Sequence, residues 1–94
     1  MSKKKIQVKA IISGRVQGVF YRAETKKAAD KFGIQGYVKN MPNGSVEAVF
    51  EGDNSIVEKM LNWCKEGPPA ARVENILSEK LEALSNFEAF LIQY

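Results

Sequence analysis

The apolar pattern of this chain changes period as it runs, and that change restricts the fold more than any other feature. Ile6-Gln7-Val8-Lys9-Ala10-Ile11-Ile12 alternates apolar with polar until its end, which predicts a strand with one buried face. Past Gly14-Arg15-Val16-Gln17-Gly18 the spacing turns helical. Tyr21, Thr25, Ala28, Ala29 and Phe32 then share one face, while Glu24, Lys26, Lys27, Asp30 and Lys31 fill the others. Gly33 stands where a helix ends on a left-handed residue. Ile34 to Met41 and Ser45 to Glu51 read as strands, joined at Pro42-Asn43-Gly44, where Asn-Gly suits a tight hairpin. A second helix carries Ile56 or Val57, Met60, Leu61 and Cys64 inward, with Asp53 or Asn54 as its N-cap and Gly67-Pro68-Pro69 as its stop. Ala71 to Leu81 and Phe87 to Tyr94 supply the last strands.

The order is β-α-β-β-α-β. Crossovers of that kind give an α+β, ferredoxin-like sandwich: a four- to five-stranded antiparallel sheet with two helices on one face. A chain of 94 residues holds a single domain, 1–94, because so short a chain cannot support a second core. Residues 1–5, with Lys3-Lys4-Lys5, are expected to form a flexible basic tail.

Composition removes several kinds of chemistry. There is no histidine, so imidazole is missing both as general base and as zinc ligand. Cys64 is the only cysteine; it cannot form an intrachain disulfide or a cysteine metal cluster, and it reads as a small buried hydrophobe. No apolar run reaches the length of a membrane span and no signal peptide precedes the lysines, so a cytoplasmic, reduced setting is expected. The net charge of +3 suits a small anion and is too slight to argue for nucleic acid.

Chemistry concentrates in Gly14-Arg15-Val16-Gln17-Gly18-Val19-Phe20-Tyr21-Arg22, between a strand and a helix. Gly14 and Gly18 let the backbone turn sharply and aim successive N–H groups at one point. The following helix adds its own unpaired N–H groups and the positive end of its dipole, so a phosphate is stabilised there. Arg22 falls in the first helical turn, where a cation opposes the dipole, and a bound anion would offset that cost. The spacing is neither a Walker loop nor a dinucleotide fingerprint.

Gly-Arg-Val-Gln-Gly-Val-Phe-Tyr-Arg resembles the signature of the acylphosphatase family. Gly36-Tyr37-Val38-Lys39-Asn40 with Asn43-Gly44-Ser45-Val46-Glu47 does so too, as do Gly67-Pro68, Ala71, Val73 and the closing Phe90-Leu91-Ile92-Gln93-Tyr94. The resemblance spans essentially the whole chain. It implies a monomeric hydrolase that cleaves carboxyl phosphates to carboxylate and inorganic phosphate, with no metal and no cofactor. By position, Arg22 matches the catalytic, phosphate-binding arginine and Asn40 the asparagine that orients the attacking water. The backbone amides of Val16, Gln17, Gly18, Val19 and Phe20 match the phosphate cradle. Gln93 departs from the family, which often has a basic residue before the terminal aromatic.

The implied chemistry fits a chain without histidine. A carboxylate is a good leaving group and needs no general acid, so positioning and charge stabilisation carry the reaction. Other readings remain at this point. Asn40 before a turn is also a plain turn-maker. Arg15 and Lys39 suit surface cations, Trp63 and Tyr37 suit packing or the rim of a cleft, and Glu47, Glu51 and Asp53 are expected to face solvent. A non-catalytic regulatory domain of the same type is the alternative, although the chain's end at Tyr94 favours an independent enzyme. An RNA-binding module is another, but the aromatic RNA-recognition signature is missing.

Overall fold

A computed structural model describes residues 4–94. The elements run β1 (Lys5–Arg15), α1 (Tyr21–Phe32), β2 (Gln35–Asn40), β3 (Val46–Asp53), α2 (Asn54–Glu66), β4 (Arg72–Leu81) and β5 (Phe90–Gln93). One sheet holds all five strands in the order β4-β1-β3-β2-β5. Its centre is antiparallel, with Ala10 opposite Ala48 and Val38 opposite the same residue. This is the expected ferredoxin-like sandwich with one difference, since β5 lies parallel to β2 and makes the sheet mixed. The cause is topological. β4 finishes beside Gln7, at the end of the sheet where Gly36 opens β2, and β5 starts from that same end next to Gly36.

Strand alternation sorts side chains as the sequence predicts. Ile6, Val8, Ala10 and Ile12 of β1 pack with Val46, Ala48 and Phe50 of β3, Val38 of β2 and Phe90 of β5. Tyr21 and Ala29 of α1 and Val57, Met60 and Cys64 of α2 close that core from the same side. Gly33 ends α1, with its N–H on the Asp30 carbonyl and that of Ile34 on the Ala29 carbonyl. Asp53 caps α2 by position only, without a side-chain hydrogen bond. The hairpin at 41–45 is locked by Met41 N–H on the Ser45 carbonyl at 2.8 Å and Ser45 N–H on Asn43 Oδ1 at 3.0 Å.

Two expectations need correction. The expected tail over 1–5 does not hold at its last two residues, because Lys5 pairs with Asp53 and the Lys4 carbonyl accepts the Asn54 N–H at 3.0 Å; residues 1–3 lie outside the described residues. Glu47 and Glu51 do not face solvent, being 7% and 0% exposed. Glu51 is enclosed because the segment 82–89 folds over it: Ser85 N–H donates to Oε2 at 2.7 Å and Phe87 N–H to Oε1 at 3.1 Å. Gln7 Nε2 adds a bond to Oε2 at 2.8 Å. Glu47 takes the Tyr37 hydroxyl at 2.7 Å and lies 3.4 Å from Lys9 Nζ and 3.7 Å from Lys39 Nζ. Burial opposes ionisation of both carboxyls, yet these donors and cations outweigh it and hold each below its ordinary range.

Candidate active site

β1, α1, β2 and β5 converge at the end of the sheet opposite Glu51. β1 leaves the sheet there through a register shift between Ser13 and Gly14. Gly14 has φ 125°, and a methyl group on it would meet the Arg72 carbonyl oxygen at 2.2 Å, so only glycine passes this close to β4. The next segment, 16–20, belongs to neither strand nor helix. Gly18 takes φ 75° with open space around it, so its backbone conformation rather than crowding calls for glycine. Among the described residues, no protein acceptor takes the N–H of Val16, Gln17, Gly18, Val19 or Phe20. Unpaired amides in succession beside a helix N-terminus form an anion-binding surface.

Phe20 is the N-cap of α1, with φ 65° and no side-chain capping bond. A left-handed conformation costs a residue of this kind about 1–2 kcal/mol. Arg22 follows in the first turn, as expected. Its Nη1 donates to the Gln93 carbonyl at 3.1 Å, and the guanidinium carbon lies 4.8 Å from the centre of the Tyr94 ring. Arg22 is therefore steadied against β5 through one N–H, and among the described residues its other N–H groups meet no protein acceptor.

Asn40 is the last residue of β2, and its Oδ1 is buried without a hydrogen-bond partner. Leaving such an acceptor unmet costs about 1–3 kcal/mol. Arg22, Asn40, Val16, Gly18, Phe20, Ile92 and Tyr94 are among the residues around one open cleft of about 250 Å³. The sequence-predicted cation, amide and loop therefore meet in a single place. Gly14 stands behind them, shaping the loop from β1. Val19, 6% exposed, packs into the core, and neither it nor Gln17 is among the residues around the cleft.

Gln17 is more than a backbone amide. Its Nε2 donates to the Met41 and Ser45 carbonyls, each at 2.8 Å, and so braces the loop against the hairpin that follows Asn40. No local pattern announces this brace, since the partners lie 24 and 28 residues away.

Comparison with known proteins identifies the family. The Acylphosphatase family model matches residues 8–92. The chain belongs to the acylphosphatase family. It is 45% identical over 87 residues to an acylphosphatase of Rubrobacter xylanophilus, covering 93% of this chain and 79% of that one. It is 48% identical over 79 residues to an acylphosphatase of Gloeobacter violaceus, covering 82% and 85%. The crystal structure of acylphosphatase from Bacillus subtilis superposes with a TM-score of 0.92 at 34% identity, covering 95% of this chain and 99% of that one.

Within this acylphosphatase fold the other sequence candidates fall away from the cleft. Trp63 packs on Tyr21, ring centres 5.8 Å apart, and Tyr37 faces Glu47 and Phe87 on the open side of the sheet. The rim aromatics are instead Phe20 and Tyr94, 76% and 99% exposed. Cys64 is buried in the core, and burial pushes its thiol up to about 12, so it supplies no thiolate. Among the described residues no three His, Cys, Asp or Glu side chains gather as metal ligands. Among the described residues no helix is long and apolar enough to cross a membrane.

Proposed function

We propose that this chain carries out the reaction its family is named for, hydrolysis of small acyl phosphates to carboxylate and inorganic phosphate, with Arg22 and Asn40 as its catalytic residues. The observation that carries the reading is the cleft shared by Arg22, Asn40 and the loop residues Val16, Gly18 and Phe20, in a segment whose amides meet no protein acceptor among the described residues. The phosphoryl group sits on the amides of Val16, Gln17, Gly18, Val19 and Phe20, with Arg22 forked onto its oxygens. Both charge sources are strongest where negative charge gathers in the transition state, so they favour it over the ground state.

Asn40 orients the nucleophile. Its carboxamide rotates about a soft terminal torsion, and with Oδ1 turned into the cleft it accepts a hydrogen bond from one water. That water attacks phosphorus in line. The bond between phosphorus and the acyl oxygen breaks, and its electron pair leaves with the carboxylate. An amide is too weak a base to take the water's proton, so the proton passes to a phosphate oxygen. Products are a carboxylate and dihydrogen phosphate, with no general acid required because the leaving group is weakly basic. On this reading the protein works as a cytoplasmic monomer, on a small metabolite rather than nucleic acid, and its phosphate product inhibits it.

Hydrolysis of benzoyl phosphate in excess EDTA, followed by loss of substrate absorbance, tests the reading. Turnover that inorganic phosphate inhibits is the expected result. A folded protein without turnover would favour the non-catalytic domain instead.

A further inference from the structure

We infer that Phe20 is a specificity residue that selects aromatic or comparably large apolar acyl groups over short ones, an inference that rests on the hydrolase reading. Phe20 is at odds with its position. Its backbone is left-handed, at φ 65°, where glycine or asparagine is at ease and a bulky aromatic is strained. It is the N-cap of α1 yet makes no capping bond. Its side chain is 76% exposed, so core packing returns nothing for the strain. Capping, backbone comfort and burial thus all fail to account for it, and strain of this kind gathers where a ligand is held.

The surroundings of the ring say what it meets. Phe20 lines the same cleft as Arg22 and Asn40, together with Ile92 and the Tyr94 ring. The cleft is therefore divided. Loop amides, Arg22 and Asn40 offer polar groups to a phosphate, whereas Phe20, Ile92 and Tyr94 present apolar surface beside them. An acyl phosphate is divided in the same way, with an anion at one end and a carbon skeleton at the other. An aromatic acyl group reaches the Phe20 ring once the phosphate is seated; an acetyl group is too short to cover it. Aromatic pairing adds to the simple burial of area.

The test compares kcat/KM for benzoyl phosphate and acetyl phosphate in the wild type, Phe20→Gly and Phe20→Asn. Both replacements accept the left-handed backbone, so the loop keeps its course while the aromatic wall is lost. The change in the ratio of the two kcat/KM values from wild type to variant cancels any common loss of activity and any intrinsic difference between the substrates. The expected result is a fall of about tenfold in the benzoyl-to-acetyl ratio for each variant. A ratio unchanged in both variants overturns the inference while leaving the hydrolase reading intact. Turnover of neither substrate by the wild type overturns the hydrolase reading and this inference with it.

Discussion

The two ends of β3 carry polar groups in opposite states. At one end, Glu51 is fully buried and fully answered, by Gln7, Ser85 and Phe87. At the other, where β3 begins beside Asn40, an enclosed carboxamide oxygen has no partner and a run of loop amides has no protein acceptor. A protein that satisfies a carboxylate this completely can build a closed network. Leaving the other end open is therefore informative. Satisfied buried groups mark structure, and unsatisfied ones beside a cleft mark the place where a ligand completes the network.

That contrast is broken or sharpened by substitution, and the largest effect is expected at Arg22. Arg22→Ala should lower turnover about 10²–10³-fold, the usual cost of one charge-stabilising donor. Its free energy of unfolding, read from urea denaturation, should stay within about 0.5 kcal/mol of wild type. Near-normal turnover of benzoyl phosphate would contradict the cradle.

Asn40→Ala follows, with a fall in kcat of about 10²-fold and continued inhibition by inorganic phosphate. Because an unpartnered buried acceptor is removed, thermal stability should hold or rise. Equal loss of turnover and phosphate binding would make Asn40 a shaper of the fold instead.

Glu51→Gln should show the reverse pattern. The amide cannot accept from every donor that meets the carboxylate, and stability should drop by about 2 kcal/mol, read by thermal unfolding. Turnover at a temperature where the variant is folded should stay close to wild type. Gln17→Ala lies between the two regions in kind and smaller in size. Losing its brace to Met41 and Ser45 should cost roughly 1 kcal/mol in kcat, with little change in phosphate inhibition.

The smallest effect is the acid response. Glu51 and Glu47 have folded pKa values below the ordinary 4.5. Their stabilisation is thus fully present above that value and is lost as pH falls through the lower folded values. Urea denaturation between pH 6 and pH 3 should show stability declining in acid, and Glu51→Gln should flatten part of the decline.

Much of this was readable from residue order. Strand alternation in Ile6 to Ile12 and helical spacing from Tyr21 to Phe32 are local patterns, and the core follows them. The loop was legible because two glycines and an arginine between strand and helix have a direct electrostatic meaning. Alternation led to the expectation that Glu51 faces solvent, and its complete burial overturns that. That burial comes from Ser85 and Phe87, more than 30 residues further on. The direction of β5 depends on the same crossover. Asn40 looks like any turn residue until the cleft exposes its lack of a partner. Phe20 looks like an ordinary apolar residue until its φ is known.

The most direct test of the contrast is a titration of the 15N-labelled protein with inorganic phosphate, followed by amide and side-chain NMR shifts. Saturable shifts are expected at the amides of 16–20, at Arg22 and at the Asn40 carboxamide. The Gln7 carboxamide and the Ser85 and Phe87 amides, already bound to Glu51, should hardly move. Shifts centred on the Glu51 network, or none at the loop under saturating phosphate, would contradict that contrast.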